Sequence, residues 1–206
     1  MRSFICLLIG YLIGSISPSA LVSGIRHTDL RENGTGNLGA TNTMIVMGKK
    51  LGFLVMLLDI FKSYLAARIA ARLFAGFSLA GFLAALGAVT GHIYSVYLNF
   101  HGGKGVAALV GMMIFYKPSF FFILAGLAIV LMLVTNLGVV GPTSAAALFP
   151  LFVYLDSGDL SIAAVCAAAG LLVILAHRNN IRKIRAGDEI LVRSFIRKVL
   201  LSRVHN

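Results

Sequence analysis

The sequence predicts an all-α integral membrane protein of about seven transmembrane helices, some of them short or re-entrant, with a polar site on the cytoplasmic side. Three observations predict it. Of the 206 residues, 59% are hydrophobic and 12% charged, with a mean hydropathy of +0.93, values outside those of soluble domains. The apolar blocks approach the roughly 20 residues that a helix needs to cross a bilayer, and a helix satisfies its own backbone in lipid. Lysine and arginine concentrate on alternate connections between those blocks.

The first span is expected over 4–25. A secretory signal peptide is the competing reading, since Arg2 precedes an apolar run and small residues follow at 17–20, but the apolar character continues past them. The second span, 51–71, carries Asp59, Lys62 and Arg68. A lone charge inside a span costs about 2.5–3.5 kcal/mol on insertion scales, and the i, i+3 spacing of Asp59 and Lys62 lets them pair on one face turned into the bundle. A third span covers 77–98, a short apolar piece 106–116 stops at Lys117-Pro118, and 119–140 is a full span. A second short piece, 143–155, precedes the last span at 160–176. The count is seven, or five if both short pieces are re-entrant. Residues 1–206 form one membrane-embedded domain whose basic tail, 177–206, lies along the membrane surface. Cys6 and Cys166 fall inside spans, which argues against a disulfide framework, and no metal-ligand spacing involves them.

Charge sets the orientation. Arg26, Arg31, Lys49, Lys50 and Lys104 share one side with the C-terminal cluster from Arg178 to Arg203, while Arg2, Arg72 and Lys117 lie on the other. By the positive-inside rule the first side is cytoplasmic, so an odd number of spans puts the N-terminus outside and the C-terminus inside. The net charge of +11 is therefore mostly topological and implies no nucleic-acid partner. Within the tail, Leu191, Phe195, Val199 and Leu200 share a face, the spacing of an interfacial helix on anionic lipid headgroups.

Three polar segments meet on the cytoplasmic side. The first, ENGTGNLGATN at 32–42, contains the G-x-G-x-x-G spacing of a dinucleotide fingerprint, but membrane helices flank it where a strand and a parallel sheet are required. Its Gly36 permits close approach to a ligand, and Thr35, Asn37, Thr41 and Asn42 can donate hydrogen bonds. The second, 91–107, includes Gly102-Gly103-Lys104-Gly105 ahead of a short helix. Successive glycine amides and a lysine at a helix N-terminus make a cradle for phosphate or carboxylate. It is not a Walker A loop, because Gly105 follows the lysine where Ser or Thr is needed. The third segment, 177–189, places His177 three residues before Asn180. An imidazole there can exchange a proton near neutral pH. His92, at the end of the third span, is a further donor.

The stretches GTGNLGATN at 34–42, GHIYSVYLNFHGGKGVA at 91–107 and HRNNIRKIRAGDE at 177–189, in this order, resemble the bacterial acyl-phosphate-dependent glycerol-3-phosphate acyltransferases, the PlsY family. The resemblance spans nearly the whole chain. It implies a seven-helix enzyme of the bacterial cytoplasmic (inner) membrane, with its site and C-terminus on the cytoplasmic face. Such an enzyme moves an acyl group from acyl phosphate to glycerol 3-phosphate, forms lysophosphatidic acid for phospholipid biosynthesis, and works downstream of an enzyme that makes acyl phosphate. Neither metal nor other cofactor is implied. Carried onto this chain, His177, Asn180, Thr35 and Lys104 are the expected catalytic residues. Gly36, Asn37, Thr41, Asn42, His92, Gly102, Gly103, Gly105 and Ser144 are expected to contact substrate.

The chain also departs from the family pattern. Thr35 stands where Ser is usual, Ile45 where the family generally carries an arginine, Gly141 where a serine is common, and Ala108 where Ser or Thr often follows. Losing an arginine removes a bidentate phosphate partner that a lysine does not replace geometrically. A paralogue that binds a phosphorylated lipid precursor without turnover is therefore a second reading. A transporter of an organic anion is a third, for which the expected inverted repeat is missing.

Overall fold

The computed structural model describes residues 1–187 and 191–194. The reading of 188–203 as an interfacial helix lies, apart from 191–194, outside the described residues. Among the described residues the regular elements are helices, and they form a bundle of unequal pieces. In chain order they are α1 (Arg2–Ser15), α2 (Pro18–Ile25), α3 (Ala40–Met47), α4 (Lys49–Leu73), α5 (Ala80–Ile93), α6 (Val106–Tyr116), α7 (Pro118–Thr135), α8 (Val140–Ser157), α9 (Leu160–Ala176) and α10 (Arg178–Ala186). Arg2–Ile25, Ala80–Leu98 and Pro118–Thr135 are long and apolar enough to cross a membrane, and Leu160–Ala176 with Arg178–Ile184 forms a pair bent by 48°. The 11 residues of α6 reach about 16 Å at 1.5 Å each, half of a bilayer core of about 30 Å.

The first expected span is broken. Ile16 is extended, Ser17 caps α2 by accepting from the Ala20 amide at 3.3 Å, and Pro18 takes the first helical position. Interrupted backbone inside a membrane must be satisfied by protein. The Lys62 ammonium donates to the Ile16 carbonyl at 2.7 Å, the Ser95 hydroxyl to the Ser15 carbonyl at 2.6 Å, and the Tyr11 hydroxyl to the Tyr94 carbonyl at 2.8 Å. Thus α4 and the end of α5 close the break.

Helices α1 and α5 pack with their backbones nearly touching. A Cβ on Gly14 would strike the Ala88 backbone, and one on Gly10 the backbone of Ala84. Small residues on both faces permit this approach, as in membrane helix pairs generally. The main core joins α5, α6, α8 and α9 through Phe82, Met112, Phe149, Val153 and Val173. By contrast, α7 fully buries only Leu124: Phe120, Phe121 and Met132 lie half-buried on the side toward α8, while Phe122, Ile123, Ile129, Val130 and Val134 are exposed, as on a lipid-facing helix.

Four boundaries differ from the expectation. The polar opening segment contains a helix, α3, set off by extended Gly39 and by Gly48 at φ 91°. The third span stops as α-helix at Ile93 and adds a short 3₁₀ turn, Val96–Leu98. The fifth stops at Thr135 because Asn136 is left-handed, so the piece expected over 143–155 is longer and begins at Val140. The last span does not continue smoothly through His177, where the chain bends into α10.

Candidate active site

The three polar segments converge. Asn42, buried at the start of α3, holds the first together: its amide donates to the Leu30 carbonyl at 2.7 Å and the Asn33 carbonyl at 3.0 Å, and its oxygen accepts from the Thr35 amide at 2.6 Å. Expected to donate to substrate, Asn42 is instead committed to shaping the loop, because a buried amide must satisfy its own hydrogen bonds. Its reward is a fixed loop that leaves Thr35 and Gly36 exposed. Asn37 lies half-buried beside Gly39, and Thr41 is exposed at the first turn of α3.

The glycines of the second segment act differently from a simple amide cradle. The Gly102 amide donates to the Ile93 carbonyl at 2.9 Å and the Gly103 amide to the His92 carbonyl at 3.0 Å, so both are used in folding the segment back on the end of α5. The cradle expected from these two amides is corrected accordingly. What the glycines supply is room: a Cβ on Gly103 would meet the His92 ring and stand 2.5 Å from the Leu38 carbonyl oxygen. Gly105, left-handed at φ 82°, caps α6 and is closed in by Ile93 and Val173. The first amides of α6 have no acceptor within their own helix, and they face the same end as Lys104.

Lys104 ties the second segment to the third through a 2.5 Å hydrogen bond from its ammonium to the Asn180 side-chain oxygen. This contact fixes the Asn180 amide plane against the Lys104 side chain. His177, at the α9–α10 bend, is 4% exposed and so sits in the wall of the site rather than in bulk water. Its Nδ1 lies 2.8 Å from the Val173 carbonyl oxygen, which only a protonated Nδ1 can satisfy. In the neutral ring this makes Nε2 the basic nitrogen. The first segment joins through Arg31, whose guanidinium donates to the His101 carbonyl at 3.1 Å.

Arg31 was read from sequence only as a charge that sets orientation. The local signal that could have marked it is Asp29-x-Arg31: the Asp29 carboxylate accepts from the Arg31 amide at 2.7 Å and turns the chain there. A cavity of about 490 Å³ flanks this loop on its α2 side, lined by residues that include Ser23, His27, Arg31, Leu38 and Leu98. It is a shallow depression open to the surface, and Lys104, His177 and Asn180 are not in its lining.

His92, expected as a donor and substrate contact at the end of the third span, is buried. It is turned into the bundle, with Nδ1 at 3.2 Å from an oxygen of Asp59, which the Lys62 ammonium also approaches at 2.7 Å. The Asp59–Lys62 pair therefore forms as its spacing predicts, with a third partner added. Ser144 lies half-buried in the second turn of α8. At Gly141 a Cβ would come within 2.7 Å of the Met132 side chain and 3.0 Å of the Ala128 carbonyl oxygen, so a serine here requires Met132 to move.

The fold and site define a multi-pass helical membrane protein with a lysine, a histidine and an asparagine gathered at one end of the bundle. The sequence profile described as "Glycerol-3-phosphate acyltransferase" matches residues 4–187. Among curated relatives, the glycerol-3-phosphate acyltransferase of Lactiplantibacillus plantarum is 37% identical over 194 residues, covering 93% of each chain. That of Aquifex aeolicus is 34% identical, over 92% of this chain and 98% of the relative. A crystal structure of PlsY, an integral membrane glycerol 3-phosphate acyltransferase, in its glycerol 3-phosphate form superposes with a TM-score of 0.85 at 30% identity, over 93% of this chain and 96% of that one. Its lysophosphatidic acid form gives the same TM-score, 0.85, at 28% identity over 95% and 99% of the two chains. This chain belongs to the glycerol-3-phosphate acyltransferase family.

Proposed function

We propose that this chain transfers an acyl group from acyl phosphate to the 1-hydroxyl of glycerol 3-phosphate, at the inner face of the bacterial cytoplasmic membrane. The products are lysophosphatidic acid and inorganic phosphate. The observation that carries this reading is the contact of Lys104 with Asn180 beside His177, which unites the second and third polar segments. Family membership supplies the chemistry to which that constellation is fitted. The chain acts as one membrane-embedded unit of seven crossings, with its C-terminus cytoplasmic.

Both substrates bear phosphate, so the site needs cationic and hydrogen-bonding anchors. Lys104 neutralises a phosphate, aided by the first amides of α6, while Asn180 and Thr35 orient substrate oxygens. The acceptor hydroxyl oxygen attacks the acyl carbonyl carbon, a C–O bond forms, and the bond between that carbon and the phosphate oxygen breaks. The hydroxyl proton goes to Nε2 of His177 or to a phosphate oxygen of the substrates, and the electron pair leaves with phosphate. Because the donor is already activated, no covalent enzyme intermediate is required; orientation and charge stabilisation carry the rate.

The test is purified protein with acyl phosphate and labelled glycerol 3-phosphate. Lysophosphatidic acid should form with stoichiometric release of phosphate; a folded protein giving neither product would refute the proposal. Lys104→Ala should lower kcat/KM by about 100-fold or more, as expected when one partner of a desolvated charge contact is truncated. Unchanged kinetics would remove Lys104 from the mechanism.

A further inference from the structure

The cluster of Asp59, Lys62 and His92 is more than the balanced ion pair that a membrane interior requires. Asp59 is 1% exposed, Lys62 7% and His92 9%, so three ionisable groups share one buried site between α4 and α5. Lys62 has an evident task, since it satisfies the Ile16 carbonyl at the α1–α2 break and Asp59 neutralises it. That task does not need His92. Yet the same Asp59 oxygen faces Nδ1 of His92 at 3.2 Å, a contact off the line of a hydrogen bond. Holding Nδ1 toward Asp59 turns the Nε2 edge of the ring toward Gly103, which has no room there for a Cβ. The His92 carbonyl also accepts from the Gly103 amide at 3.0 Å. The next residue is Lys104.

From this geometry we infer that Asp59 is a positioning residue for the phosphate anchor: through His92 it fixes the Gly102–Gly103 fold that presents the Lys104 ammonium to a phosphoryl group. A buried carboxylate in a membrane helix is costly, and where one is kept it marks a functional position as well as a pair. The inference rests on Lys104 being a phosphate anchor, as in the proposed function, but it does not require turnover.

Inorganic phosphate is the probe, and its concentration for half-maximal thermal stabilisation of the purified full-length protein is the readout. Asp59→Asn keeps the shape and removes the charge. That half-saturating concentration should rise about tenfold, the scale expected when a binding group shifts by a fraction of an ångström. His92→Gln, which leaves the Asp59–Lys62 pair in place, should give a similar rise, and the double variant should be no worse than the weaker-binding single. In enzyme assays the same variants should raise KM for glycerol 3-phosphate. A merely structural role would lower the melting temperature and the active fraction without moving KM or the phosphate midpoint. Unchanged phosphate midpoints, additive effects in the double variant, or no phosphate response in the wild type would overturn the inference. If Asp59→Asn does not fold, His92→Gln alone decides by the same criterion. A phosphate response without lysophosphatidic acid formation would instead refute the proposed function and leave the positioning role standing.

Discussion

Ile45 stands where the family resemblance leads one to expect an arginine. It lies half-buried on α3, in the helix that Asn42 fastens to the opening loop, so whatever occupies position 45 moves with that loop. An arginine there would add a planar, bidentate phosphate partner to the point charge of Lys104. Ile45→Arg is expected to raise kcat/KM for glycerol 3-phosphate by about tenfold, the worth of one charge-assisted hydrogen bond; a flat response in steady-state kinetics would mean that another cation already covers the phosphate. At this scale the sequence was informative about residue types and poor about their tasks. Lys104, His177 and Asn180 stand out because few reasons exist to keep such groups at the ends of apolar spans, and the structure brings Lys104 and Asn180 into contact. Asn42 and His92 were assigned to substrate because a sequence does not reveal that a polar side chain is already satisfied by backbone or by a buried carboxylate.

Among elements, α1 and α5 show how close packing rather than propensity organises the bundle. Gly14 leaves room for the Ala88 backbone, and no rotamer of a larger side chain avoids that contact, since the obstruction is at Cβ itself. Gly14→Val should lower stability by about 1–3 kcal/mol, or separate the helices outright, and thermal denaturation in detergent compared with wild type measures it. A melting temperature within error of wild type would show that the two helices can slide apart freely. Apolar blocks were legible from hydropathy, but several of their ends were not. The break at Ile16 carries a local sign, Ser17-Pro18, yet a break inside a membrane survives only with a partner for its carbonyl. That partner, Lys62, is 46 positions away in sequence. The left-handed Asn136 is similarly held by a distant segment: the Val192 amide donates to the Asn136 carbonyl at 3.0 Å, and the Arg193 amide to its side-chain oxygen at the same distance.

For the whole molecule, the proposed orientation rests on charge asymmetry, and the convergence of the polar segments on one end of the bundle makes it testable. With the site inside the cell, a cysteine introduced at exposed His101 should react with a membrane-impermeant maleimide only after permeabilisation, whereas one at Gly76, between α4 and α5, should react on intact cells. The native Cys6 and Cys166 are buried, which keeps the background low. Reaction of both sites from outside would place an even number of crossings between them and refute the proposed topology. At the opposite end of α6 from Lys104, Lys117 pairs with Asp156 at 2.7 Å and fastens the α6–α7 corner to the end of α8. That hydrogen bond holds the exposed Asp156 carboxyl below the usual carboxylate range, so the clamp is in force at neutral pH and is released as the medium turns acidic.

By itself, the sequence determined the membrane class, the approximate apolar blocks and the family. These follow from composition, block length and local motifs, all properties of neighbouring residues. Only the tertiary structure decided that Asn42 builds the loop, that the Gly102 and Gly103 amides fold back on α5, and that Asp59 reaches both Lys62 and His92. Each of those is a hydrogen bond or charge contact claimed by a residue distant in the chain or hidden in the bundle. In a low-dielectric interior a polar group goes to whichever partner packing brings within about 3 Å, and one-dimensional spacing does not encode that distance.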